Sequence, residues 1–161
     1  MNKFVLKTLS TVALVGALST SAVADEPQFG LGVGVAGQNS TTIRGTVTLD
    51  DQLRLEPYFG FSYLNPDTGS SKTDITLGSA LHVMAPINNK ISAYYGGFAG
   101  IKNYDYGNGD SGTILNLGPV AGVEYAFDQK FTLGAEVRFD VGFGDYTAVS
   151  TDSSVLLRYY F

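Results

Sequence analysis

From Gln28 onward the chain alternates apolar with small or polar side chains, and it does so with a period of two as far as Phe161. Successive side chains on a strand point to opposite faces, whereas a helical face repeats every 3.6 residues. The chain therefore reads as strands, with no helical segment between them. The stretches QFGLGVGVAG, TTIRGTVTLD, LRLEPYFGFSYL, KTDITLGSALHVM, ISAYYGGFAGIK, ILNLGPVAGVEYA, FTLGAEVRFDVGFGD and SSVLLRYYF predict eight of them.

The connections alternate in character. Asp50-Asp51-Gln52, Pro86 to Lys90 and Phe127 to Lys130 are tight polar turns. Between them fall NPDTGSS (Asn65 to Ser71), DYGNGDSG (Asp105 to Gly112) and YTAVSTD, the stretch after Asp145. The first connection, Gly37 to Ser40, is short although it falls at the long-loop end. Tight turns at one end and longer Gly/Asp/Ser loops at the other suit an up-and-down series of hairpins.

Sorting each strand by parity separates two faces. One holds Phe29, Leu31, Val33, Ile43, Leu55, Phe59, Phe61, Leu77, Tyr95, Leu117, Val137, Phe139 and their like, with no charge. The other holds many of the glycines, among them Gly30, Gly32, Gly78, Gly100, Gly122 and Gly134. It also holds Arg44, Arg54, Glu56, Asp74, His82, Lys102, Glu124, Glu136, Arg138, Asp140 and Arg158. An eight-stranded barrel has an interior just wide enough to be filled by side chains. The apolar face would overfill it, and the glycine-rich face would not. So the apolar face points outward, and what lies outside must be lipid. Apolar-out, polar-in strands of about 9–11 residues are the mark of a transmembrane barrel. Closure is then required, because lipid offers no partner to an unpaired edge. The expected fold is all-β: an eight-stranded antiparallel up-and-down transmembrane β-barrel whose last strand pairs with its first.

At this point the chain resembles the small outer-membrane barrels of Gram-negative bacteria, the OmpA/OmpX-like barrel domain family. The most specific element is the terminal Val155-x-Leu157-x-Tyr159-x-Phe161 pattern. It looks like the signal read by that family's barrel assembly machinery. The chain departs from many relatives in having no Trp, which leaves Tyr and Phe to form the interfacial belts. The resemblance implies contact with outer-membrane lipids and lipopolysaccharide, a monomer, and both termini on the periplasmic side with the tight turns.

The first residues agree with that address. Lys3 and Lys7 precede a short apolar run from Leu9 to Leu18, and Ala22-Val23-Ala24 is a small-x-small cleavage site. Residues 1–24 are expected to be a secretory signal peptide and 25–161 the barrel domain, exported through the periplasm to the cell outer membrane. Loss of the two lysines takes the formal charge from −5 to −7, which argues against nucleic acid. With no Cys, there is neither disulfide nor thiolate metal site.

Inside the barrel the charges balance. Arg44, Arg54, Lys102, Arg138 and Arg158 oppose Glu56, Asp74, Glu124, Glu136 and Asp140. Buried charges are costly unless paired and hydrogen-bonded. The first expectation is a lumen filled by paired charges, in a protein of structural or surface-interaction role within the cell envelope. The alternative is a narrow, low-conductance, porin-like channel gated by strand seven, with Glu136, Arg138 and Asp140 at alternate positions. His82, the only histidine, faces the lumen as a satisfied polar group or as a pH-sensitive gate.

An enzyme is not expected. Nucleophilic catalysis needs a nucleophile, a base and an orienting carboxylate within reach. His82 is the only possible imidazole base, and the nearest lumen-facing hydroxyl on its strand, Thr76, lies too far along. No cofactor or metal is implied. Asp105, Asn108 and Asp110 do not have the spacing of a twelve-residue calcium loop. Acidic loops could still meet lipopolysaccharide through bridging divalent cations. Pro57 and Pro119 fall within strands, where a bulge or kink is expected. Gly45 and Gly97 face lipid without an evident reason.

Overall fold

The computed structural model describes residues 27–161, apart from 38–39, 51, 66–69, 108 and 146. The expected signal peptide lies outside the described residues, as do Asp51, Asn108 and most of the Asn65 to Ser71 loop. The described chain is β1 (Gln28–Ala36), β2 (Ser40–Asp50), β3 (Leu53–Leu64), β4 (Lys72–Pro86), β5 (Ile91–Asp105), β6 (Ser111–Ala126), β7 (Phe131–Gly144) and β8 (Ala148–Tyr160). Each strand pairs antiparallel with the next, and β8 returns to β1 to close the barrel. Gly30 faces Tyr160 and Ala36 faces Ser154 across that seam. Phe161 is tied in as well, its N–H donating to the Phe29 carbonyl at 2.9 Å.

The two faces fall as the alternation requires. Leu31, Ile43, Phe61, Leu77, Val123, Val137 and Leu157 point outward and are about half exposed. Arg44, Arg54, Glu56, His82, Glu136 and Arg158 are buried inside. No Arg or Lys stands at an outward-facing strand position among the described residues. Charges within and a mainly apolar wall without suit an apolar surrounding medium, and a closed barrel meets that medium's demand that every backbone group be paired.

Two of the tight turns share one design, written INNKI and FDQKF. Asn88 Oδ1 accepts the Lys90 and Ile91 N–H groups, each at 2.9 Å. Asp128 Oδ1 accepts those of Lys130 and Phe131 at 2.7 and 2.9 Å. A short Asn or Asp side chain bonding its own backbone two or three residues on sets the turn. At the other end, Asp105 Oδ1 accepts the Gly107 N–H at 2.7 Å. Gly107 and Gly109 there take φ of 67° and 91°, a region glycine enters without strain.

Three expectations need correction. The strands run further than the apolar pattern: β5 and β6 extend on the long-loop side, to Asp105 and back to Ser111, and β4 extends on the tight-turn side to Pro86. Ala148 to Asp152, expected as loop, belongs to β8, with Gly142 facing Ala148. Once a hairpin is in register its ladder extends until the turn, and Val149 and Thr151 favour strand even where no lipid demands it. The prolines make no bulge either. Pairing lapses beside Pro57 on its β2 side and beside Pro119 on its β7 side, yet the register is the same before and after. The register shift of β2 against β3 lies instead between Thr48 and Asp50. The gap at Pro57 also accounts for Gly45, which falls opposite it: a Cβ there would come within 3.3 Å of Pro57 Cγ. Gly97 pairs with Pro119, but a Cβ would meet only the Gly118 carbonyl at 3.6 Å, so space does not explain it.

Candidate functional site: a charged layer across the lumen

The lumen-facing parity of β2, β3, β6, β7 and β8 delivers four arginines and three glutamates to one level of the barrel. Arg138 Nε donates to Glu136 Oε1 at 2.7 Å. Arg44 Nη1 reaches Glu136 at 3.0 and 3.1 Å and Glu56 Oε2 at 3.3 Å. Arg158 donates from Nε to Glu56 Oε1 at 2.6 Å, from Nη2 to Glu56 Oε2 at 3.2 Å and from Nη1 to Glu124 at 3.2 Å. Arg54 Nη1 completes the chain, bonding Glu124 at 2.8 Å and Tyr160 Oη at 3.2 Å. Residues up to 106 positions apart in sequence are thereby joined wall to wall. Charge-assisted bonds of this kind are short and strong, and each needs its partner once water is excluded.

Aromatic rings fill what the ions leave. The Arg138 guanidinium lies 4.7 Å from the Tyr58 ring centre and 5.0 Å from that of Phe98. Arg54 stands 4.8 Å over Tyr94, whose hydroxyl donates to Glu136 Oε2 at 3.1 Å. The glycines make room for these rings. A Cβ on Gly78 or Gly100 would fall 2.6 or 2.7 Å from Tyr58 Oη, and Tyr94 crosses Gly122 in the same way. The small lining is thus occupied by large side chains from neighbouring strands. Two cavities remain, one on each side of the charged layer. The outer one, on the long-loop side, has about 320 Å³ and the inner one about 490 Å³.

Of the residues singled out from the sequence, Arg44, Arg54, Glu56, Glu124, Glu136, Arg138 and Arg158 come together in this layer. Asp74, Lys102 and Asp140 do not; they line the outer cavity, where Asp74 pairs with Lys72 at 3.3 Å. Asp152, also on that cavity wall, escapes the sequence reading because its segment looks like loop. Parity alone finds it once β8 is extended. Tyr94 escapes as a hydrogen-bonding member, since a lumen-facing tyrosine has no distinctive spacing.

His82 sits at the centre, wholly buried, with its ring centre 4.8 Å from that of Tyr94. Neither ring nitrogen has a hydrogen-bond partner among the described residues. Nδ1 lies 3.8 Å from Glu56 Oε2 and Nε2 3.8 Å from Glu136 Oε2. The expectation of a satisfied histidine is therefore corrected: no described element packed against the ring offers it a bond. Glu56, His82 and Glu136 bring donor atoms within 4.8 Å of one another. The set does not suit a metal ion, because every oxygen of the two carboxylates already accepts a hydrogen bond and His82 offers the only donor atom left to coordinate one.

Val155, Leu157, Tyr159 and Phe161 occupy outward positions on β8 and beyond it, on the tight-turn side. Tyr159 stacks between Phe131 and Phe161, with centroids 4.9 and 5.5 Å away, and Tyr125 meets Phe127 at 5.3 Å. Such rings suit a membrane–water boundary, apolar in body and polar at the tip.

No family model matches the chain, and no curated protein is significantly similar to it in sequence. Solved structures are similar in shape. Neisserial surface protein A superposes with a TM-score of 0.64 at 17% identity, covering 84% of this chain and 96% of that one. The outer membrane protein Ail of Yersinia pestis, in a phospholipid bilayer nanodisc, gives 0.55 at 13% identity over 84% and 100%. A major outer membrane protein from Thermus thermophilus gives 0.54 at 13% over the same shares. With this fold and no detectable sequence kinship, the chain has the architecture of the small eight-stranded outer-membrane barrels.

Proposed function

We propose that this protein is an integral outer-membrane barrel of structural or surface-interaction role, its lumen closed by paired charges. The carrying observation is the hydrogen-bonded chain from Arg138 through Glu136, Arg44, Glu56, Arg158 and Glu124 to Arg54, with rings packed around it. An apolar outer wall places the barrel in lipid, and the leader at 1–24 delivers it there. The exposed Val155, Leu157, Tyr159 and Phe161 serve as the assembly signal. Lipopolysaccharide is a partner by way of bridging cations, since the described outer wall has no basic strand residue for its phosphates.

The second reading is a narrow channel. It is favoured by the two cavities, which leave only the charged layer between the outer and inner mouths. Single-channel recording of refolded residues 25–161 in a planar bilayer separates the two, with a Glu136→Gln/Arg138→Gln variant alongside. A silent bilayer, with folding shown by a heat-dependent gel shift, supports the closed barrel. Steady conductance that changes in the variant replaces it with the channel.

A further inference from the structure

Arg54 Nε and Nη2 and Arg138 Nη2 lack a hydrogen-bond partner among the described residues, but these arginines bond through their other nitrogens, whereas His82 bonds through neither of its own. Its position has an unusual symmetry. Glu56 Oε2 lies 3.8 Å from Nδ1 and Glu136 Oε2 3.8 Å from Nε2, so one carboxylate oxygen faces each ring nitrogen. A neutral imidazole carries one N–H and one lone pair. Whichever tautomer is present, one carboxylate faces a lone pair and gains nothing. Only the doubly protonated ring offers an N–H to both.

The same two oxygens are already bridged. Arg44 Nη1 donates to Glu56 Oε2 at 3.3 Å and to Glu136 Oε2 at 3.1 Å. Arg44 and a protonated His82 therefore compete for one pair of acceptors. Arg44 has somewhere else to go. Its Nε already reaches toward Thr42 Oγ1 on the outer cavity wall, at 3.5 Å. Asp152, on that wall, faces Arg138 across the β7–β8 pairing and lies within Coulomb range of both Arg138 and Arg44, with no hydrogen bond or ion pair from another side chain among the described residues.

We propose that His82 is a proton-binding switch: uptake of a proton lets the ring bridge Glu56 Oε2 and Glu136 Oε2, displacing Arg44 toward Asp152 in the outer cavity. The proton comes from water and resides on the second ring nitrogen, and its charge takes the place in the layer of the one that Arg44 carries out to the cavity. Burial itself opposes the cation most, and Arg54 and Arg158 oppose it too, while Glu56 and Glu136 favour it. Tyr94, packed against the ring, keeps its bond to Glu136 in both states. The switch rests on the closed lumen proposed above, because a water-filled lumen would screen these charges from one another.

The test uses the refolded chain in lipid nanodiscs. One histidine means that histidine labelling yields a single ring signal. As the solution is acidified, the ring is expected to gain its second proton before the barrel unfolds, with both N–H groups hydrogen-bonded. The Arg44 side-chain signal should shift in the same transition. His82→Gln should abolish the Arg44 shift, and Asp152→Asn, which leaves the layer intact, should reduce it. The switch is overturned by a ring that stays neutral until the barrel unfolds. It is equally overturned by a ring that titrates while Arg44 stays still, or by an Arg44 shift that persists in His82→Gln. Conductance at neutral pH tests the closed lumen separately, so a silent bilayer with a motionless Arg44 rejects the switch alone.

Discussion

The outer wall and the lumen wall are built from the same strands, residue by residue in alternation, yet they are held by opposite means. Leu77, Val137 and Leu157 need only an apolar neighbour, and any of several side chains would satisfy lipid. Arg158 needs Glu56 and Glu124 in particular places, on two other strands. The outer wall fixes where the barrel sits; the lumen fixes which register and which neighbours it has. One wall is a solvent-matching surface and the other a set of specific bonds, so a substitution should act through different physics on each.

The largest effect should come from stranding a charge inside. Glu56→Leu takes from Arg158 two of its three bonds and from Arg44 one of its two carboxylates in a buried layer, at a cost of about 3–5 kcal/mol. Glu56→Leu with Arg158→Met should restore most of it, because buried ion pairs are often replaceable by apolar residues of similar volume. Chemical unfolding of the reconstituted barrel measures both. If the double variant is no better than the single one, the layer is not a set of pairs, and the contrast between the walls fails.

Next comes a charge placed on the outer wall. Val137 points outward at mid-strand on β7, between lumen-facing Glu136 and Arg138. Val137→Lys should cost about 2–4 kcal/mol in a bilayer, and much less at an outward position near either end of the strand. Val137→Leu should be close to neutral. Comparable losses for Lys and Leu would mean that this wall is packed against protein rather than lipid.

Glycines sharpen the comparison because they occur on both walls. Gly100→Ala drives a Cβ to 2.7 Å from Tyr58 Oη, and the overpacked lumen should lose about 1–3 kcal/mol. Adding Tyr58→Phe should return part of that. Gly45→Ala on the outer wall meets Pro57 Cγ at 3.3 Å, with lipid on its other side to give way, so its loss should be smaller. Equal losses would mean that lumen glycines are not there to seat the rings.

These differences also explain what can be read from the sequence. Eight strands, closure and the sense of the two faces follow from parity, because lipid imposes one rule on every outward position from Phe29 to Phe161. The membership of the lumen follows too, since Arg44, Glu56 and Arg158 are conspicuous on a glycine-rich face. Their partners are not legible. Parity says that Glu124 points inward but not that it joins Arg54 to Arg158, which depends on stagger across strands far apart in sequence. The balance of five positive and five negative charges mixes two levels, since Lys102, Asp74 and Asp140 belong to the outer cavity. Ala148 to Asp152 stands beyond the lipid-imposed pattern, so nothing marks it as strand. Pro57 reads as a bulge until the glycine across from it is seen as its neighbour.

The smallest effect lies where neither wall operates, in the tight turn after β6. Asp128 is fully exposed, and its carboxylate accepts the backbone N–H groups of Lys130 and Phe131. Those bonds, the Lys130 one first, favour the charged form and hold its pKa below the ordinary aspartate value. A lowered folded pKa means that the folded barrel binds the proton less readily than the unfolded chain. The stabilisation is then complete above the unfolded value and lost as pH falls through the folded one. Asp128→Asn keeps an acceptor oxygen but no charge, so the variant should be slightly less stable than the parent near neutral pH. The two should converge as the solution is acidified below the aspartate range. Melting temperatures of both proteins across that range decide it. A gap that stays constant with pH would show that the turn is held by the shape of the side chain, and that the charge on Asp128 contributes nothing to it.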